Sequence, residues 1–284
     1  MDCSKNPLAK PLIVAVATDK YLTPTYPIAD SVYLPMVSAL KFGQDVTFGH
    51  GRAAPKKQSV GTSVADLKPK MERLLDKFAA GDRAGMARAL VHEFLAGHSS
   101  VSFYSDPTLD KAAASHGNIR SFCTSAMSIP GPPPVVWGRG SPKLPPPRRR
   151  IHQALQEAGW DVTKISAPTD LGVPAFNEGS KGFSTGDFDN GLGLMINGVQ
   201  YVYVLATHYF HDAKAARYCI GLRFLFYDVF GLDDDDLAEF GASDNLSIDK
   251  RIGITAWWQL QHQFGYAPLV TRVIVDRAFE GPAT

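Results

Sequence analysis

With 284 residues, 45% of them hydrophobic, the chain can bury a large core as one large or two modest domains, and wholesale disorder is excluded. The 29 Lys and Arg residues against 28 Asp and Glu leave a formal net charge of +1, so no global field directs it to nucleic acid or a membrane surface. Cys3, Cys123 and Cys219 make no CxxC pair and leave one over in any disulfide scheme, which points to folding in a reducing cytoplasm with Cys219 as an apolar strand filler.

The apolar run from Leu12 to Ala17 is too short to span a bilayer, Asp2 precedes it, and no signal-peptide cleavage site follows. No transmembrane segment and no standard export signal are expected. Residues 11–55 are rich in Pro, Gly and β-branched residues and predict one or two strands. The period then changes to helical. Met71, Leu74, Leu75 and Phe78 predict a helix over 66–81, and Met86, Leu90, Val91, Phe94 and Leu95 a second from Asp82, its candidate N-cap, to Gly97. A third follows in "SDPTLDKAAASHG", with Asp106 as cap and Pro107 in the first helical position.

From Ile129 to Arg150 the proline density forbids regular hydrogen-bonded structure and marks a connector. The chain accordingly divides into 1–128, a strand and helical region; 129–150, the proline-rich connector; and 151–284, an α+β region. Arg148 to Arg150 flank a helix in "RIHQALQEAGW" and read as a solvated face. After a Gly/Ser/Asp loop over 166–190, Asn197-Gly198 predicts a hairpin between strands Leu192–Ile196 and Val199–Phe210. "ARYCIGLRFLFYDVF" and "APLVTRVIVDRAF" are further strands, and Trp257, Leu260 and Phe264 fall at helical spacing between them. The fold class is α+β: an N-terminal helical part and a C-terminal antiparallel β-sheet with one packed helix.

Candidate chemistry gathers in this second half. His208, His211 and Asp212 lie where a strand meets a turn, and Asp187 and Asp189 in the preceding loop, types suited to a divalent metal or acid/base work. Residues three apart in a strand face opposite sides, however, so both imidazoles reach one ion only if the strand breaks. The run Asp233 to Asp236 has two readings, the cap of a short helix or a hard-cation site through Asp233 and Asp235. Trp257 and Trp258 cannot share a helix face, which leaves core packing or a groove lined by one indole and His262. No GxSxG, HExxH or Walker loop is present, and Cys123 with His152 alone does not make a cysteine-hydrolase pattern.

The segments "YDVFGLDDDDL" and "GITAWWQLQHQFGYAPLVTRVIV" resemble the C-terminal signature of uncharacterised bacterial families that look like cargo of the type VI secretion system. The matching positions are Asp228, Phe230 to Asp233, Trp258, Leu260, Gln261 and Gly265 to Thr271, and "EFLAGHSSVSFYSDPTLDKA" is similar to their N-terminal portion. The resemblance implies an antibacterial effector made in the bacterial cytoplasm, secreted into target cells beside a spike or adaptor protein, and paired with a cognate immunity protein. A second likeness, to the lipid II-cleaving colicin M group, rests on Tyr227-Asp228 and the aspartate run, without the His-Arg step of that group. If the chain is an enzyme, the spacing alone points to Asp228 and Asp233 as metal or acid/base carboxylates, with His208, His211 and His262 as auxiliary groups and a divalent cation as the candidate cofactor. The competing class is a non-enzymatic adaptor, chaperone or immunity protein.

Overall fold

The computed structural model describes residues 2–18, 62–79, 81, 83–127, 150–172, 174, 191–241 and 247–284. The connector 129–149, the loop carrying Asp187 and Asp189, and the expected cap Asp82 lie outside them. The α+β class is correct, and its centre is a six-stranded sheet. In chain order the strands are β1 (Pro7–Thr18), β2 (Ser102–Tyr104), β3 (Thr169–Asp170), β4 (Val199–Asp212), β5 (Arg217–Phe230) and β6 (Leu269–Pro282). Their spatial order is β2-β6-β5-β4-β1-β3.

The β4, β5 and β6 ladders are antiparallel, as is β1 on β4. The short edge strands β2 and β3 run parallel to β6 and β1, so the sheet is mixed and larger than the sequence suggests. Strands from both sides of the 129–150 connector therefore build one sheet. Strand β5 is central, and its residues from Tyr218 to Phe230 are buried apart from Arg223. Burial on two faces explains its nearly unbroken apolar run. One face carries Leu222, Phe224, Phe226 and Phe230 beneath the helices, and the other carries Leu225, Tyr227, Tyr201, Tyr203 and Leu205.

The helices are α1 (Val64–Glu72), α2 (Leu75–Phe78), α3 (Ala84–Ala96), α4 (Pro107–Ser115), α5 (Gly117–Met127), α6 (Ile151–Glu157), α7 (Leu192–Ile196), α8 (Asp234–Asp236) and α9 (Ile248–Phe264). Ser63 and Asp66 close a capping box on α1. Asp106 caps α4, accepting from the Thr108 amide at 2.7 Å, with Pro107 in the first turn. The helix expected over 66–81 is instead two, parted by a turn at Arg73-Leu74. Leu192–Ile196 is also a correction, since it forms helix α7 rather than a strand. Its Leu192, Met195 and Ile196 are buried at helical spacing, which a five-residue apolar run does not distinguish from a strand.

Two contacts fix the layers. On the outer edge of β6, past the three residues paired with β2, the Ile274 amide donates to Asp110 on α4 at 2.8 Å, so a helix covers an edge that would otherwise be open. Beneath α9, Gly253 lets α1 approach so closely that a Cβ there would meet Leu74 Cγ at 2.5 Å and the Lys70 carbonyl oxygen at 3.1 Å. In an open helix Gly to Ala gains about 1 kcal/mol, whereas overpacking a tight contact costs about 1–3 kcal/mol. Gly253→Ala is therefore expected to lower the denaturant midpoint; a raised midpoint would show that α1 and α9 are not in contact.

Candidate functional site

The residues that carry the sequence signature meet where β5 ends. Leu232 leaves the strand, and its amide donates to Gln261 Oε1 at 3.0 Å while its carbonyl accepts from Gln261 Nε2 at 3.1 Å. His262 Nε2 reaches the same carbonyl at 2.7 Å, so that nitrogen carries the ring proton. Gln261 thus acts as one more strand residue, satisfying both backbone groups of a buried turn. Next to it the Phe230 ring lies 4.3 Å from Trp257, with Phe94 edge-on to both.

Both tryptophans are buried, Trp258 fully, with its ring 4.8 Å from that of His262. Core packing is therefore the outcome, and the alternative of a groove lined by one indole and His262 does not hold at these residues. A 17-residue helix enclosed on two sides buries neighbouring positions that an isolated amphipathic helix would divide between core and water.

The aspartate run begins with a cap. Asp233 accepts from the amides of Asp235 and Asp236 at 2.8 and 2.9 Å, and Asp236 accepts in return from the Asp233 amide at 3.0 Å. Asp235 is exposed and Asp234 half-buried. Among the described residues, no group of three His, Cys, Asp or Glu side chains is placed to hold a metal ion. Asp228 is buried and accepts from the Gly198 amide at 3.0 Å, tying the Asn197-Gly198 turn to the strand end.

The structure does not gather His208 and His211 with these carboxylates. His208 pairs with Gly221 and His211 with Tyr218, seven and ten residues along β5 from Asp228. At strand rise those intervals are about 23 and 33 Å. His208 and His211 also face opposite sides of the sheet, His208 hydrogen-bonded to the Thr207 hydroxyl at 3.0 Å.

His211 belongs to a different cluster, which the sequence did not reveal. At the far end of β5, His152 Nδ1 lies 2.7 Å from the Tyr218 hydroxyl, and Trp160 stacks on Tyr218 at 5.3 Å, with His211 6.3 Å from Trp160. Trp160 has φ +62°, a left-handed conformation that costs a bulky residue free energy, held by the Tyr209 hydroxyl donating to its carbonyl at 2.7 Å. Burial lowers the His152 pKa and pushes Tyr218 up to about 12, so a neutral imidazole meets a neutral phenol near pH 7. Such a pair can relay a proton, or it can satisfy two buried polar groups. Its members lie 66 residues apart without a local motif, and only the fold brings them together.

Cys123 is buried on α5, and burial pushes its thiol up to about 12, which removes the thiolate a nucleophile needs. An open cleft of about 290 Å³ between α1, α2 and α3 is lined by Glu72, Arg73, Asp76, Arg88 and His92 among others. His92 lies 3.6 Å from Glu72 and Arg88 lies 3.8 Å from Asp76, so the cleft wall mixes both signs of charge. No helix among the described residues is long and apolar enough to cross a membrane.

Comparison with protein-family models, curated proteins and solved structures returned no match.

One carboxyl of the capping turn carries a pH signature. Burial raises the Asp236 pKa from 3.8 to about 6, the charges of Asp233, Glu239 and Asp235 add to this, and the Asp233 amide opposes it. The folded state thus holds this proton more tightly than the unfolded chain. Its stabilisation is complete below the unfolded value and is lost as pH rises through about 6. Relative to Asp236→Asn, the wild type is expected to lose on the order of 1–3 kcal/mol between about pH 4 and pH 7. Denaturant titrations with the same pH profile for both proteins would contradict this.

Proposed function

We propose that this chain is an antibacterial effector associated with type VI secretion, acting on the cell envelope of competitor bacteria. The observation that carries the reading is that the FGLD and W-x-L-Q residues, about thirty positions apart, touch: Leu232 is held through both backbone groups by Gln261, with His262 and the Phe230–Trp257 contact beside them. On this reading the touching residues support a shared fold, and what the family does is carried over by analogy alone. A secretion spike or adaptor protein and a cognate immunity protein are the partners that go with it.

A non-enzymatic role, as adaptor, chaperone or immunity protein of a secretion system, is favoured by one observation. The carboxyls of Asp228 and Asp233 accept backbone amides and hold turns instead of meeting in a cleft. Within an enzymatic reading, the pair best arranged for proton transfer is His152 and Tyr218.

The test is growth of a laboratory bacterium expressing the whole chain, either retained in the cytoplasm or fused to a periplasmic export signal. The effector reading predicts growth arrest only on export. Arrest from the cytoplasm would overturn the envelope target, and soluble, folded protein harmless in both compartments would replace the effector reading with the adaptor role.

A further inference from the structure

Residues Asp2 to Asn6 lie against the end of the β4–β5 hairpin. Asp2 accepts from the Ser4 amide at 3.2 Å and fixes a single 3₁₀ turn, Cys3–Lys5. The Asn6 carbonyl then accepts from the Tyr209 amide at 3.0 Å, and Pro7 pairs with His208. Tyr209 stands opposite Ile220, and the next pair is Phe210 with Cys219. Three residues of 3₁₀ turn span only about 6 Å, so Cys3 cannot leave the neighbourhood of that pair. The turn packs on both β4 and β5, and Cys3 and Cys219 are free and buried.

The register and the 3₁₀ turn thus put the two buried thiols at the same end of the hairpin. Burial is the main reason the Cys3 pKa is raised, and interaction with Cys219 is next. Cys123, by contrast, belongs to the helix-side core and interacts with Arg277. The odd cysteine of the sequence is therefore Cys123, and 3 and 219 are a matched pair.

We propose that Cys3 and Cys219 form a disulfide latch when the chain folds in the presence of a disulfide oxidant, fastening the start of the chain to the central strand. With glutathione disulfide as oxidant, one protein thiolate attacks a glutathione sulfur and releases one glutathione thiolate. The second protein thiolate then attacks the protein sulfur of that mixed disulfide and releases the other. Two protein thiols become one disulfide, and one glutathione disulfide becomes two glutathione thiols. Once folded, buried and protonated thiols exchange slowly, so the latch is set during folding and then persists. Its use as a compartment-dependent device rests on the envelope-effector reading: reduced in the producer's cytoplasm, closed after folding in an oxidising envelope.

The experiment unfolds the full reduced chain, refolds it in glutathione redox buffer, and maps disulfides by mass spectrometry under non-reducing conditions. The expected product is a Cys3–Cys219 linked peptide, with Tm raised on the order of 5–10 °C over reduced protein. Cys3→Ser, at the chain start, should remove both the link and the rise, while Cys123→Ser should keep both. Absence of the link in protein refolded to its native circular dichroism spectrum would overturn the proposal, as would links to Cys123 forming equally readily. These results do not depend on toxicity, so the latch and the effector reading can fail separately.

Discussion

The fold turns on how one residue, Leu232, is held as the chain leaves the central strand. β5 is buried on both faces, and its exit must satisfy a peptide N–H and C=O away from water. The amide of Gln261 meets both, and His262 adds a second donor to the carbonyl. An unsatisfied buried group costs about 1–3 kcal/mol, so this clasp bears on the whole stability of the domain. It also aims the chain into the Asp233 cap and on toward α9.

Everything near the clasp is explained by backbone demands. Asp233 caps, Asp236 answers it, Asp228 holds the hairpin turn, and Trp257 fills the space under Phe230. Acidic and aromatic residues that look like chemistry in the sequence are here the means of ending one strand and starting one helix. At the opposite end of β5, about 33 Å from Asp228 by strand rise, His152, Tyr218, Trp160 and His211 form a second cluster, with Trp160 in the turn that ends α6. Its left-handed Trp160 backbone is held by the Leu155 carbonyl in that turn, by the Tyr209 hydroxyl of β4 and by the Tyr218 ring of β5.

Local signals were legible in the sequence and long-range ones were not. Asp106-Pro107 announces α4, and the alternating and continuous apolar runs announce β4, β5 and β6. Strands of two or three residues, β3 and β2, carry no period to detect, and they exist only because β1 and β6 offer partners. Leu192–Ile196 reads equally as strand or helix until its neighbours decide. The site residues divide the same way: the strand period already places His208 and His211 on opposite faces, as the register has them, while His152 and Tyr218, or Cys3 and Cys219, come together only through the fold.

The central claim is that the signature residue Gln261, with His262 beside it, acts through the backbone of Leu232. Amide hydrogen exchange at Leu232, in the wild type and in Gln261→Ala, tests it most directly. The structure predicts a wild-type amide as protected as those of the β5 core, and exchange faster by on the order of 100-fold in the variant as local opening becomes cheaper. A Leu232 amide exchanging at the rate of exposed amides in the wild type, or unchanged by the substitution, would contradict the account.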